Sequence, residues 1–97
     1  MRHSYFGRKL GRDTTARQAL LNGLASSVLE KGQITTTLAK AKFAQAYVEK
    51  IITKSKRQKD LRSIRIIASK LSTGAFAKLR TSVSPGFASR DGGYTRI

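Results

Sequence analysis

Residues 16–31 read ARQALLNGLASSVLEK and are followed by Gly32. Leu20, Leu21, Leu24, Ala25, Val28 and Leu29 recur at intervals of three and four, the spacing of one face of an α-helix. Asp13, Thr14 and Thr15 precede the stripe as candidate caps, Thr15 and Gln18 have capping-box spacing, and Gly32 is a plausible C-terminal stop. A leucine stripe of this kind serves core packing far more often than a partner groove. Arg17 and Asn22 fall off the stripe and are predicted to face outward.

Working outward from this helix, the short β-branched run 33–37 (QITTT) reads as a strand. Helical spacing returns over 38–57, with Ala41, Ala44, Val48, Ile51 and Ile52 on one side and Lys40, Lys42, Lys50, Lys54, Lys56 and Arg57 on the others. Asp60 is a candidate cap for a third helix, whose buried stripe is Leu61, Ile64, Ile67, Ala68 and Leu71. Thr73 and Gly74 mark a break; Phe76, Leu79 and Val83 then suggest a short fourth helix ending before Pro85. Asp91-Gly92-Gly93 is a turn signal, and 94–97 reads as a second strand. The expected fold is α+β, mostly helical with a small sheet: a domain over 13–97 preceded by a basic arm over 1–12.

Charge dominates the composition. Twenty Lys and Arg against five Asp and Glu leave a formal net charge of +15 over 97 residues. A compact fold with that much like charge repels itself unless a polyanion neutralises it, so the pattern points to nucleic acid. Hydrophobic residues reach 39% of the chain, enough for one small core despite the charge. The absence of cysteine excludes disulfides and thiolate metal sites, and the single histidine, His3, offers no metal cluster. No apolar run approaches the roughly twenty residues of a membrane span, and no signal-peptide core follows Arg2. The chain reads as soluble and intracellular, with no cofactor, no metal and no small-molecule substrate.

The arm, MRHSYFGRKLGR, mixes cations with Gly7 and Gly11, and places Tyr5 and Phe6 among them. Glycine keeps such a segment free to thread between phosphates, and aromatic faces beside arginine stack on unpaired bases. The run KSKRQK (54–59) closes the second helix; part of its charge suits a helix C-terminus, and the remainder, Lys54, Lys56 and Arg57, reads as a phosphate-facing patch. Catalysis finds no footing. Asp13 and Asp60 are explained as caps, Asp91 as a turn residue, and Glu30 and Glu49 as partners of nearby lysines. His3 in an arm lacks the held geometry a general base needs. Gly7 and Gly11 lack the Gly-Lys-Ser/Thr ending of a phosphate loop.

Taken in order, MRH, GRKLGR, ALLNGLASSVLEKGQI, TTLAKAK and GGYTRI resemble the bacterial large-subunit ribosomal protein L17 family over essentially the whole chain. The resemblance implies helices packed on one side of a small sheet, no catalytic activity, and a cytoplasmic protein of the large subunit. It implies binding to large-subunit ribosomal RNA near the peptide exit tunnel, with neighbouring ribosomal proteins as further partners. Carried onto matching positions, Arg2, His3, Arg8, Lys9, Arg12 and Arg17 look like RNA contacts. Lys40, Lys42 and Arg96 match family positions too, for RNA or protein contacts. Tyr5, Phe6 and Tyr94 are the candidates for stacking on unpaired bases. Ser4, Tyr5 and Phe6 stand where the family usually carries more basic residues, so stacking or packing is expected there in place of phosphate pairing. The competing reading is a DNA-binding, nucleoid-type protein, disfavoured because the second helix is expected to lie beyond a strand, unlike the short turn of a helix-turn-helix unit.

Overall fold

Helices follow one another along the chain in a computed structural model that describes residues 14–57 and 59–97. They are α1 (Thr14–Lys31), α2 (Leu38–Arg57), α3 (Leu61–Lys70), α4 (Thr73–Lys78), a π-helical turn (Leu79–Val83) and α5 (Ser84–Gly86). The arm 1–12, with Arg2, His3, Tyr5, Phe6, Arg8, Lys9 and Arg12, lies outside the described residues.

The stripes read from spacing form the core. Leu21, Ala25 and Leu29 of α1 are buried, as are Ala44, Val48, Ile51 and Ile52 of α2 and Ile67 of α3. Leu71, Ala75, Leu79 and Tyr94 complete the set of buried hydrophobic residues. Ile52 and Leu79 are the largest fully buried side chains, each contributing roughly 1.5–3 kcal/mol from burial alone. Leu61, placed on the third stripe, is 62% exposed, because it is the first residue of α3 and precedes the turn that meets the core.

Local chemistry sets the helix ends. Gly32 holds φ +86°, a left-handed conformation that stops α1, and its N–H donates to the Val28 carbonyl at 2.8 Å. Thr37 begins α2: its carbonyl accepts from Ala41 N–H at 2.9 Å and its hydroxyl from Lys40 N–H at 3.4 Å. The Asp60 carboxylate caps α3 by accepting from the Ser63 N–H at 3.2 Å and from its hydroxyl at 2.8 Å. These bonds favour the ionised form and hold Asp60 below the usual carboxylate range. Ser72 caps α4 by accepting from Ala75 N–H at 3.2 Å. It also fastens that cap to α1: its N–H donates to Ser26 Oγ at 3.0 Å and its hydroxyl to Glu30 Oε2 at 3.3 Å.

Two expectations are corrected. The fold is all-α, not α+β: among the described residues there is no strand and no sheet. Residues 33–37 form a connector without regular structure and 93–97 an irregular C-terminal segment, so the helices do not pack on one side of a small sheet. β-branched residues favour strands through packing against neighbouring strands; here none pairs with either segment, and Thr37 instead caps a helix. The fourth helix also does not stop before Pro85. Helical backbone runs on through the π-helical turn into α5, with Pro85 in its first turn. The Ser84 N–H reaches back to the Leu79 carbonyl, five residues away. This wider turn just before Pro85 admits a ring that would crowd an ordinary α-helical carbonyl.

Candidate nucleic-acid interface

The core-facing side of α2 fixes where its cations point. Lys42, Ala46, Lys50, Lys54 and Arg57 are all exposed; the first four follow the i, i+4 row of the helix, winding gradually around its outer side, and Arg57 stands one turn on from Lys54 at i+3. With 1.5 Å of rise per residue, this ridge runs for about 22 Å. Three predicted contacts, Lys42, Lys54 and Arg57, are therefore brought onto one surface. Lys50 belongs with them although it was not singled out, and the four-residue spacing of 42, 46, 50 and 54 was the available signal. Lys50 and Lys54 are like charges at i, i+4, an arrangement that destabilises an isolated helix by about 0.2–0.5 kcal/mol.

The C-terminal segment lies along the adjoining flank of α2. Glu49 Oε1 accepts from Gly93 N–H at 3.1 Å and Oε2 from the Thr95 hydroxyl at 2.7 Å, while Gln45 Nε2 donates to the Thr95 carbonyl at 3.3 Å. Gly92 and Gly93, at φ +81° and +62°, make the turn that lets the segment dock. Glu49, expected to pair with lysines, thus holds the segment that carries exposed Arg96 beside the ridge. On the opposite flank Gln18 donates to Asn22 Oδ1 at 3.1 Å and to Tyr47 Oη at 2.9 Å, and Tyr47 donates to Asn22 Oδ1. Arg17, half-buried, precedes this cluster joining α1 to α2. Burial raises the Tyr47 hydroxyl above the ordinary tyrosine range, partly offset by the bond from Gln18.

Lys40 is half-buried at the start of α2, off the main ridge. Lys56 and Tyr94 face inward. Lys56 Nζ donates to the Arg90 carbonyl and, at 3.0 Å, to Tyr94 Oη, and it lies 4.8 Å from the centre of the Tyr94 ring. Tyr94 is only 9% exposed and packs against Phe87 with ring centres 5.1 Å apart. The Lys56 bond, with further bonds from Thr53 and Gly92, lowers the Tyr94 hydroxyl to about 8. Lys59, the last cation of the run KSKRQK, and Arg80 are further exposed cations that spacing alone did not assign to a contact.

Among the described residues no group of three His, Cys, Asp or Glu side chains comes together to hold a metal, and no helix is long and apolar enough to cross a membrane. Compared with known proteins, residues 20–97 match the family model described as Ribosomal protein L17. The large ribosomal subunit protein bL17 of Nautilia profundicola is 49% identical, covering all of this chain and 83% of that protein. Its counterparts from Campylobacter lari and Helicobacter hepaticus are 47% and 46% identical, again over the whole chain and 83% and 84% of theirs. With a matching model over most of its length and near-half identity from end to end, the chain belongs to the ribosomal protein L17 family.

Proposed function

We propose that this chain is a structural, non-catalytic constituent of the large ribosomal subunit in the bacterial cytoplasm. In this reading it binds and stabilises folded large-subunit ribosomal RNA near the peptide exit tunnel and touches neighbouring ribosomal proteins. The ridge on α2 carries the reading: a row of mutually repelling cations on a chain of net charge +15 is relieved by a phosphate backbone. Lys42, Lys50, Lys54 and Arg57 track that backbone, Arg96 and Lys40 extend the surface, and Arg17 leads into the arm. Arg2, His3, Arg8, Lys9 and Arg12 of the arm reach further phosphates, with Tyr5 and Phe6 stacking on unpaired bases. Lys56 and Tyr94 act from inside, holding the C-terminal segment against α2.

The test is sedimentation of the tagged full chain in a sucrose gradient of cell lysate with a moderate-salt wash. It is expected to travel with the large subunit. Migration with the small subunit, the soluble fractions or the nucleoid would reject the proposal, the last in favour of DNA binding.

A further inference from the structure

Away from the ridge, the end of α2, α3, α4, the π-helical turn and α5 enclose an open pocket of about 320 Å³. Its floor is apolar, formed chiefly by Ile64, Ile67 and Phe76. Cations line its edge: Lys59 and Arg80 are exposed and Lys56 is half-buried, and among the described residues no acid lines the pocket. The Arg80 guanidinium stands 5.8 Å from the centre of the Phe76 ring. On one wall the Ser84 hydroxyl donates to Ser55 Oγ at 2.7 Å, placing two hydroxyls beside the apolar floor.

An occupant must offer a flat apolar body, polar edges and a negative charge at the pocket mouth. An acidic peptide supplies the charge but needs a separate, suitably spaced aromatic residue for the flat apolar body, and an aliphatic side chain supplies neither the charge nor polar edges. A single nucleotide supplies all three. The volume falls at the small end of the roughly 300–1,000 Å³ range of ligand sites, a size that holds a single base. Base stacking on aromatic and guanidinium faces is the usual means by which unpaired nucleotides are held.

We infer that this pocket receives one unpaired nucleotide of the bound RNA, its base against Phe76 and Ile67 and its phosphate at Lys59 and Arg80. The inference rests on the RNA-binding reading above and gives it a second contact surface, separate from the arm and the α2 ridge. The test uses the full chain with protein-free large-subunit ribosomal RNA, ultraviolet crosslinking and tryptic mapping. A nucleotide adduct is expected on the peptide 71–78, which carries Phe76. The double variant Lys59→Ala, Arg80→Ala should lose the adduct and bind about tenfold more weakly, the scale of one lost base contact, with its helical circular dichroism unchanged. Tight binding by both proteins without an adduct on 71–78 would overturn the inference and leave the RNA-binding reading standing. Failure of the unmodified chain to bind the RNA would overturn both. A crosslink from Phe76 to a neighbouring protein in assembled subunits, in place of RNA, would also overturn the inference.

Discussion

Two tyrosines in this fold are pushed in opposite directions, and the signs can be read in solution. Tyr94 gives up its proton near 8 because Lys56, and after it Thr53 and Gly92, hydrogen-bond to its oxygen. Tyr47 is raised because burial disfavours its charged form. Between about pH 8 and 10 the unfolded chain keeps a Tyr94 proton that the folded chain has released, so this contribution to stability grows as pH rises through that window. Tyr47 acts in the reverse sense, and its contribution is lost above the ordinary tyrosine range. A spectroscopic titration of tyrosinate is expected to show an early transition from Tyr94 and a late one from Tyr47 besides the signal of Tyr5, and Lys56→Met should move the early one upward. Leaving it in place would mean that Lys56 does not control Tyr94. In the core, Leu79→Ala removes a fully buried side chain and is expected to lower unfolding stability by about 2–5 kcal/mol, measured by urea denaturation.

The elements differ in how far the sequence disclosed them. Helices α1, α2 and α3 were legible because burial repeats every three to four residues, and Leu21, Ala25, Leu29, Val48, Ile51, Ile52 and Ile67 answer to that period alone. The run 33–37 was misread because a β-branched segment states a preference for strand neighbours without supplying them. The continuation through Pro85 was hidden as well, since proline forbids an ordinary α-helical interior but not a widened turn. In the candidate site, the outward cations of α2 followed from its apolar side. The inward turn of Lys56 did not, because its partner Tyr94 lies 38 positions along the chain and no local period encodes it. Caps are a further test at this scale. Ser72→Ala removes the acceptor for Ala75 N–H and the donor to Glu30. It is expected to cost about 1 kcal/mol, a fall of roughly 4–8 °C in melting temperature for a domain of this size. Ser72→Asp should keep the cap yet set a second carboxylate beside Glu30, so it is expected to recover only part of the loss. Recovery to the full wild-type melting temperature would show that the Glu30 contact contributes nothing.

For the molecule as a whole, charge ties folding and binding together through salt. A net charge of +15 repels itself in the free chain, and added salt screens that repulsion over a Debye length that shrinks to about 10 Å at 0.1 M. The free protein is therefore expected to melt at higher temperature as salt increases. RNA binding moves the other way, because each phosphate neutralised gives up counterions and contributes roughly 0.7–0.9 to the slope of log affinity against log salt. Replacing Lys42, Lys50, Lys54 and Arg57 together by glutamine removes four exposed cations from one face of α2 and leaves the buried side intact. The slope is then expected to fall by about three, so the two proteins differ most at low salt and converge as salt rises. Relief of the like-charge pair Lys50 and Lys54 is offset by loss of Lys54 and Arg57 from the last turn of α2, so the free variant is expected to stay within about 1 kcal/mol of the unmodified chain. An unchanged slope with a folded variant would show that these four cations face solvent in the complex, and would move the RNA surface to the arm and the pocket beside α3.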